Sequence, residues 1–336
     1  MVSLKQIAEK CGVSVASVSK ALNNHKDIGE NTKERIRQAA AELGYYPNAA
    51  ARTLKTNRSY NIGVLFADAA NSGLTHDYFA AVLESFKTAA ESRGYDITFL
   101  NTHSGTYSYL EACHQRSIDG VVIACIDFER PEVIELMESH IPVITIDFRY
   151  HTCSSVVSEN KKGMQALTEY IIACGHTHIA YVHGDANSSV TQTRLEAFRT
   201  ALAEHGIPVN ESYILPSAYL DLETAAECTE TLLSLPVIPS CIIYPDDTAL
   251  LGGLNVLHNH GLKIPQDISV AGYDGLRVSR YVSPKLTTVH QNTERIGTEA
   301  AIQLIRQIEQ TETSSPVHLF INTDLVIGDS VDKFHP

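Results

Sequence analysis

The sequence predicts two structural classes in one chain: an all-α helix-turn-helix head with a hinge helix, then an α/β body of two lobes built on parallel sheets. Three observations predict this. Apolar residues in the first 45 positions recur at helical spacing and are punctuated by glycine turns. From residue 61, short apolar runs such as Ile62-Gly63-Val64-Leu65-Phe66 alternate with helical stretches. Continuous apolar strands between helices imply parallel sheets covered on both faces. The alternation then restarts near residue 162, which gives two lobes with a cleft between them.

In the head, Leu4, Ile7 and Ala8 share a helical face, and Ser3 with Gln6 three residues on has the form of a capping box. Gly12 turns the chain. Ser14 caps a second helix whose Val15, Ala16, Ser17 and Lys20 stay small or polar. A helix this slim can approach base edges in a major groove. A third helix fits 31–43, with Asn31 as cap, Ile36, Ala39, Ala40 and Leu43 as its apolar stripe, and Gly44 as its end. Asn48 and the alanines after it then favour a short helix with almost no core face. Alone it is marginal in water, so it needs a partner chain and DNA to form. Leu54 would project from it as a wedge for the minor groove; a plain linker whose leucine packs on the body is the competing reading.

Charge agrees with this division. The 336 residues carry a formal −13, which by itself argues against nucleic acid. Residues 1–58, however, hold ten Lys/Arg against five Asp/Glu, a surplus of five, and the remainder holds 16 against 34. A basic head can meet phosphates while an acidic body is repelled. Seven scattered cysteines show no metal or redox spacing, which fits reduced thiols. No apolar run nears the ~20 residues that span a bilayer, and no secretion signal opens the chain. A cytoplasmic, nucleoid-associated protein without membrane contact is expected.

In the body, strands are expected at 62–66, 96–100, 120–124, 143–146, 179–182, 241–244 and 268–271. Helices are expected at 76–93, 162–173, 192–204, 224–233 and up to 260. Ligands of such folds sit at the carboxyl ends of the strands. There the sequence places the polar stretch 68–79, with Thr75, His76 and Phe79; Asp147-Phe148-Arg149; 185–194; Asp246-Asp247; and Asp274. Carboxylates, an arginine and aromatic faces around one cavity suit a sugar, whose hydroxyls take paired hydrogen bonds and whose ring stacks. No nucleophile–base pair, phosphate-cradling glycine loop or metal spacing is present, so neither an enzyme nor a cofactor is expected. Asp246-Asp247 could suggest a hydrolase pair, but successive residues point apart unless the backbone turns. The His176/His178 pair reads as structural.

Together these residues resemble the lactose-repressor (LacI/GalR) family of transcription regulators over essentially the whole length. The motifs are Ile7-Ala8 with Cys11-Gly12-Val13-Ser14; Val18-Ser19-Lys20-Ala21-Leu22-Asn23; Leu43-Gly44-Tyr45-Tyr46-Pro47-Asn48; Ala51-Arg52-Thr53-Leu54; and Pro265-Gln266-Asp267-Ile268-Ser269-Val270-Ala271-Gly272-Tyr273-Asp274. Their order and spacing carry the specificity. The resemblance implies domains at 1–46 (helix-turn-helix), 47–58 (hinge) and 59–336 (effector-binding and dimerising, with the periplasmic-binding-protein-like fold). Lobe 1 takes about 59–157 and 288–317, and lobe 2 about 158–287 and 318–336. It implies a homodimer on a pseudo-palindromic double-stranded DNA operator. Val15, Ala16 and Lys20 become major-groove readers, Ser14, Ser17 and Asn23 phosphate or register contacts, and Asn48, Ala51 and Leu54 hinge contacts. Asp147, Arg194, Tyr219, Asp246 and Asp274 become effector-pocket positions, with Phe79 an aromatic one and Thr75 and His76 beside it.

Two departures bear on chemistry. Lys20 stands where arginine is commoner, which weakens the case for a bidentate guanine contact. Asp246 stands where asparagine is more usual; it only accepts hydrogen bonds, which favours a neutral sugar and disfavours a phosphorylated one. The leading expectation is a repressor of sugar-utilisation genes that a small sugar releases from its operator. A transport-linked sugar-binding protein, or a regulator whose ligand acts as co-repressor, is the alternative. The chain's stop at Pro336 without a leucine heptad tail favours a dimer over a coiled-coil tetramer.

Overall fold

Helices form in the head where apolar residues line one face and polar groups cap the ends. In this computed structural model, residues 2–22, 25, 27–45, 58–67, 73–100, 107–310 and 315–334 are described. The chain separates into two compact units, Met1–Ser59 and Tyr60–Pro336. In the first, α1 (Leu4–Cys11) begins where the Ser3 amide donates to Gln6 Oε1 at 2.8 Å. It ends at Gly12, whose φ of +64° lies in the left-handed region that favours glycine. α2 (Val15–Leu22) begins where Ser14 Oγ accepts from the Ser17 amide at 3.0 Å. α3 (Glu30–Glu42) starts earlier than the sequence suggested: Gly29 occupies the cap and Asn31 lies inside the first turn.

Ile7, Val18 and Ile36 are fully buried at the centre of the head, with Ala8, Ala21, Ala39 and Ala40 around them. Burying each large side chain stabilises by roughly 1.5–3 kcal/mol, so the head rests on a small core, with Leu4, Leu22, Ile28 and Leu43 partly buried against it. Asn23 and positions 46–57, which include Asn48, Ala51, Leu54 and nearly all of the expected hinge, lie outside the described residues.

The second unit opens with β1 (Asn61–Phe66), α4 (Asp77–Ser92), β2 (Asp96–Phe99), α5 (Tyr109–Gln115), β3 (Gly120–Ala124), α6 (Pro131–Met137), β4 (Val143–Ile146) and β5 (Ser154–Ser158). It continues with α7 (Asn160–Ala173), β6 (Ile179–His183), α8 (Ser189–Glu204), β7 (Ile214–Pro216), α9 (Leu222–Leu233), β8 (Cys241–Ile243), α10 (Asp247–Asn259) and β9 (Ser269–Ala271). β10 (Thr288–Gln291), α11 (Thr293–Glu309), β11 (His318–Ile321) and β12 (Thr323–Val326) complete it.

Lobe 1 holds a parallel sheet in the order β11-β5-β4-β3-β1-β2 and lobe 2 a parallel sheet in the order β7-β6-β8-β9. β3 and β6 are buried along their whole length, as strands covered on both faces must be. One face of the first sheet is packed by Tyr78, Val82 and Phe86 of α4 with Ile296, Ala300 and Leu304 of α11. The other is packed by Tyr109 and Cys113 of α5 with Val133 and Leu136 of α6. In lobe 2, α9 and α10 cover one face and α7 and α8 the other.

β10 and β12 form a separate antiparallel pair, Thr288 opposite Val326. One expected boundary is corrected. Residues 318–321, assigned to lobe 2 from the sequence, are strand β11 and pair in parallel with β5 in the lobe 1 sheet. The chain returns to lobe 2 only after them, and Val331 packs in its core. Among the described residues, no helix is long and apolar enough to cross a membrane.

Candidate functional site

The site is built around Arg194, on the buried face of α8 and 3% exposed. Its Nε donates to Asn160 Oδ1 at 2.8 Å and one terminal nitrogen to the Pro245 carbonyl at 3.2 Å. The other terminal nitrogen lies 3.8 Å from Asp274 Oδ1. The guanidinium carbon stands 3.5 Å from the centroid of the Tyr273 ring and 6.0 Å from that of Tyr219. Burial opposes the charge on Arg194, but Asp274 and the face of the Tyr273 ring favour it and the guanidinium stays protonated. A guanidinium carries five N–H donors, and these two hydrogen bonds leave three.

Three carboxylates surround it, each fixed differently. Asp274 follows β9 with φ +91°, and its Oδ1 accepts from Gln291 Nε2 at 2.6 Å; its Oδ2 takes no hydrogen bond among the described residues. Burial pushes its carboxyl up to about 7, Arg194 pulls it down, and Asp246 pushes it up again. Asp147 follows β4 with φ +56°. It accepts from the Ser158 amide at 3.0 Å and from the Tyr78 hydroxyl at 2.7 Å. Burial raises its carboxyl while these bonds and Arg194 lower it. Non-glycine residues pay strain in this backbone region, and such residues cluster at binding sites.

Asp246 is 0% exposed and caps α10, accepting from the amides of Thr248 and Ala249 at 2.9 and 2.7 Å. Its other oxygen accepts from the Leu220 amide at 2.8 Å. It therefore anchors the segment that carries Tyr219, whose hydroxyl bonds Thr191 at 2.8 Å. The Tyr219 ring lies so close to Gly184 that a Cβ there would meet it at 2.4 Å. Asp247, its neighbour, is also buried, with Oδ2 accepting from the Leu276 amide at 2.7 Å.

The structure thus brings five of the predicted effector residues together: Asp147, Arg194, Tyr219, Asp246 and Asp274. The other three lie at or just before the start of α4, where Phe79 packs edge-on against Tyr78, whose hydroxyl donates to Asp147. Thr75 is exposed on a 3-10 turn (Gly73–Thr75). His76 caps α4, its Nδ1 accepting from the Phe79 amide, and Phe79 packs on Phe66 and His76. Asn160, Tyr78 and Tyr273 belong to the cluster without having been predicted. Tyr78 and Tyr273 lie inside segments that the sequence does single out, while Asn160, between Ser158 and the lysine pair 161–162, carries no local signal.

A cavity of about 320 Å³ opens beside this cluster, lined by Asp147, Phe148, Ser158, Asn160, Thr193 and Phe320 among others. It sits at the carboxyl ends of β4, β5 and β11, as the fold requires. A larger one, about 420 Å³, lies at the opposite end of β6 against His178, Phe198 and Tyr213; it holds none of the clustered charges. His176 is structural, bonding Ser240 and the Asp332 carbonyl. Among the described residues, no group of three or more His, Cys, Asp or Glu could hold a metal.

In the head, the predicted readers share the outer face of α2. Ser14, Val15, Ala16 and Lys20 are exposed and Ser17 half-buried, while Val18 and Ala21 face the core. Val15 is 44% exposed, an apolar side chain left in water. Ser14 Oγ and Ser17 Oγ are 2.9 Å apart. Lys20 Nζ lies 2.5 Å from Asp27, holding that exposed carboxyl below its usual range.

Comparison with known proteins supports both parts. Residues 3–48 match the family described as Bacterial regulatory proteins, lacI family, and residues 168–331 a Periplasmic binding protein-like domain. The chain is 32% identical over 336 residues to a probable HTH-type transcriptional repressor, ExuR, of Bacillus subtilis, with 99% of each chain covered. It is 30% identical over 343 residues to the HTH-type transcriptional repressor PurR of Vibrio campbellii, with 100% of each covered. The solved Lac repressor dimer bound to operator and the anti-inducer ONPF superposes with a TM-score of 0.81 at 22% identity, covering 98% of this chain and 99% of that one. A transcriptional regulator CelR–cellobiose complex does so at 0.73 and 24%, covering 98% and 100%; these two establish the fold. With a three-helix head, two parallel-sheet lobes and full-length repressor relatives, the chain belongs to the lacI family of bacterial regulatory proteins and is a DNA-binding transcriptional repressor.

Proposed function

We propose that the chain represses sugar-utilisation genes as a homodimer on a pseudo-palindromic operator and is released when a sugar enters the cleft. The observation that carries this is the Arg194 cluster. A buried guanidinium with three N–H groups left over stands beside an Asp274 oxygen without a bond, and a donor and acceptor side by side suit neighbouring sugar hydroxyls. Tyr78 and Asp147 belong to lobe 1, Arg194, Asp246 and Asp274 to lobe 2. A ligand held by both sets stabilises one arrangement of the lobes, and only a differential affinity of that kind shifts DNA binding. Val15, Ala16 and Lys20 read the major groove, supported by Ser14 and Ser17. Asn23, Asn48, Ala51 and Leu54 complete the DNA contacts. Fluorescence-anisotropy titration of a labelled operator from upstream of the gene, at fixed salt, tests this. One sugar in a panel is expected to weaken binding at least about tenfold, a coupling of about 1.4 kcal/mol. Operator binding that no sugar alters would reject the sugar signal; tighter binding with sugar would make the ligand a co-repressor.

The dimer reading has its own test. Tyr281 is 85% exposed and Leu222 also projects into solvent, both on segments that pack against α10. Large exposed side chains of this kind are candidates for an interaction surface when they lie in one patch. Tyr281→Asp is expected to halve the mass in sedimentation equilibrium and to weaken operator binding with it. A variant that remains dimeric would move the interface elsewhere.

A further inference from the structure

We infer that Asp246 is a positioning residue of the effector site: a buried carboxylate that latches the strained Leu220 and so holds the Tyr219 ring in the cleft, without itself meeting the effector. This rests on the reading of the cleft as a sugar site and assigns how one wall of it is kept in place. Tyr219 and Leu220 lie on the segment 217–221, between β7 and α9. The Ser217 amide donates to the His183 carbonyl at 2.8 Å, and Asp221 caps α9 through the amides of Glu223 and Thr224. Between these two anchors Leu220 has φ +60°, a left-handed conformation that costs a leucine free energy. Such a residue persists only where its surroundings fix it. Here its amide donates to Asp246 Oδ2 at 2.8 Å.

The latch stands on a rigid support. Asp246 Oδ1 accepts from the Thr248 and Ala249 amides, which fixes the carboxylate to the first turn of α10. That helix packs so closely on the start of α9 that a Cβ at Gly252 would meet the Leu222 carbonyl oxygen at 2.0 Å. Asp246 has no accessible surface, and a group with none cannot contact a ligand in this arrangement. Tyr219 is only half-buried, so part of its ring stays open. The ring lies against Gly184, its hydroxyl bonds Thr191, and the Arg194 guanidinium stands 6.0 Å from its centroid. An aromatic face held beside a guanidinium suits the apolar face of a sugar ring. An asparagine at 246 cannot replace the carboxylate. With its oxygen accepting from Thr248 and Ala249, its amide nitrogen would face the Leu220 N–H, donor against donor. A serine would keep the cap of α10 and leave nothing at Leu220.

The sequence has no tryptophan, so Tyr219→Trp gives the full chain a single reporter on this segment. Acrylamide quenching of that reporter is expected at least to double when Asp246→Asn or Asp246→Ser is added, before any ligand is present, with circular dichroism confirming the fold. In the native chain the Leu220 amide should exchange with deuterium as slowly as those of Thr248 and Ala249. Isothermal titration calorimetry with glucose, galactose, ribose and cellobiose then reads the consequence for binding. For a sugar that binds, Asp246→Asn is expected to raise Kd about tenfold, the loss of one hydrogen bond to a charged group. Where Tyr219 is already alanine, the same change should raise it less than about twofold. Equal losses in both backgrounds would mean that Asp246 touches the sugar itself and would overturn the inference, as would unchanged quenching or a rapidly exchanging Leu220 amide. Increased quenching with none of the four sugars binding would support the latch and overturn the sugar reading.

Discussion

Arg194→Ala is expected to abolish the response to effector and to destabilise the body by roughly 3–5 kcal/mol near neutral pH. The loss is large because the guanidinium is the charge that compensates a ring of buried acids. Without it, the buried Asp274 keeps only its bond from Gln291 and the repulsion of Asp246, and Asn160 Oδ1 and the Pro245 carbonyl lose their donors. The pH dependence has a definite sign. Asp274 already has its carboxyl raised from 3.8 to about 7, burial being the main cause. A group raised in the folded state contributes stability that is present below its unfolded value and lost as pH rises through the folded one. Removing Arg194 raises the carboxyl further, so the variant's deficit should be smaller at pH 5 than at pH 8. Urea unfolding followed by far-ultraviolet circular dichroism at both pH values reads this directly. Arg194→Lys keeps the charge and loses the planar fork, so it should recover much of the stability but not the sugar response. A deficit below about 1 kcal/mol, typical of surface changes, or one equal at both pH values, would remove Arg194 from the centre of the site.

That site was partly legible in the sequence, and the reason is geometric. Carboxylates at the ends of parallel strands must face the cleft, so Asp147 and Asp274 followed from β4 and β9 alone. What sequence could not supply was the occupancy of each group. Asp246 reads as a free acceptor until the amides of Leu220, Thr248 and Ala249 are seen to enclose it. His76 and Phe79 read as cleft residues because they follow a polar loop; what sequence does not show is that His76 caps α4 and that Phe79 packs against the Tyr78 that bonds Asp147. Asn160 is 34 positions from the arginine it holds, a separation no local pattern reports. The fold behaved likewise. Strongly apolar strands such as β3 were placed to the residue. β5, β7, β10, β11 and β12 are not expected from the sequence, because they are short and mix serine, threonine, proline, histidine or charged residues with few apolar ones; β5 and β10 are nonetheless largely buried.

Ala16→Glu is expected to cut operator affinity at least about a hundredfold while leaving the head as stable as before. Ala16 is exposed on α2, one residue inside its start, and touches none of the buried side chains Ile7, Val18 and Ile36. Substitution at such a position usually changes stability by less than about 0.5 kcal/mol, and an acid in the first turn complements the helix dipole. Binding is another matter. Disrupting one side chain's fit to a base edge costs about 1–3 kcal/mol, and the new charge meets phosphates from which the surrounding lysines normally displace counterions. Lys20→Gln separates these two effects. Its ammonium pairs with Asp27 in a half-exposed bridge, worth little in water, and so can exchange that partner for DNA. Losing it should weaken binding to all sequences alike and flatten the salt dependence by about one unit of slope. Operator titrations at several salt concentrations would show Ala16→Glu losing far more than Lys20→Gln at the specific site. Equal affinity of the Ala16→Glu variant and the native protein would mean that this face of α2 never enters the groove.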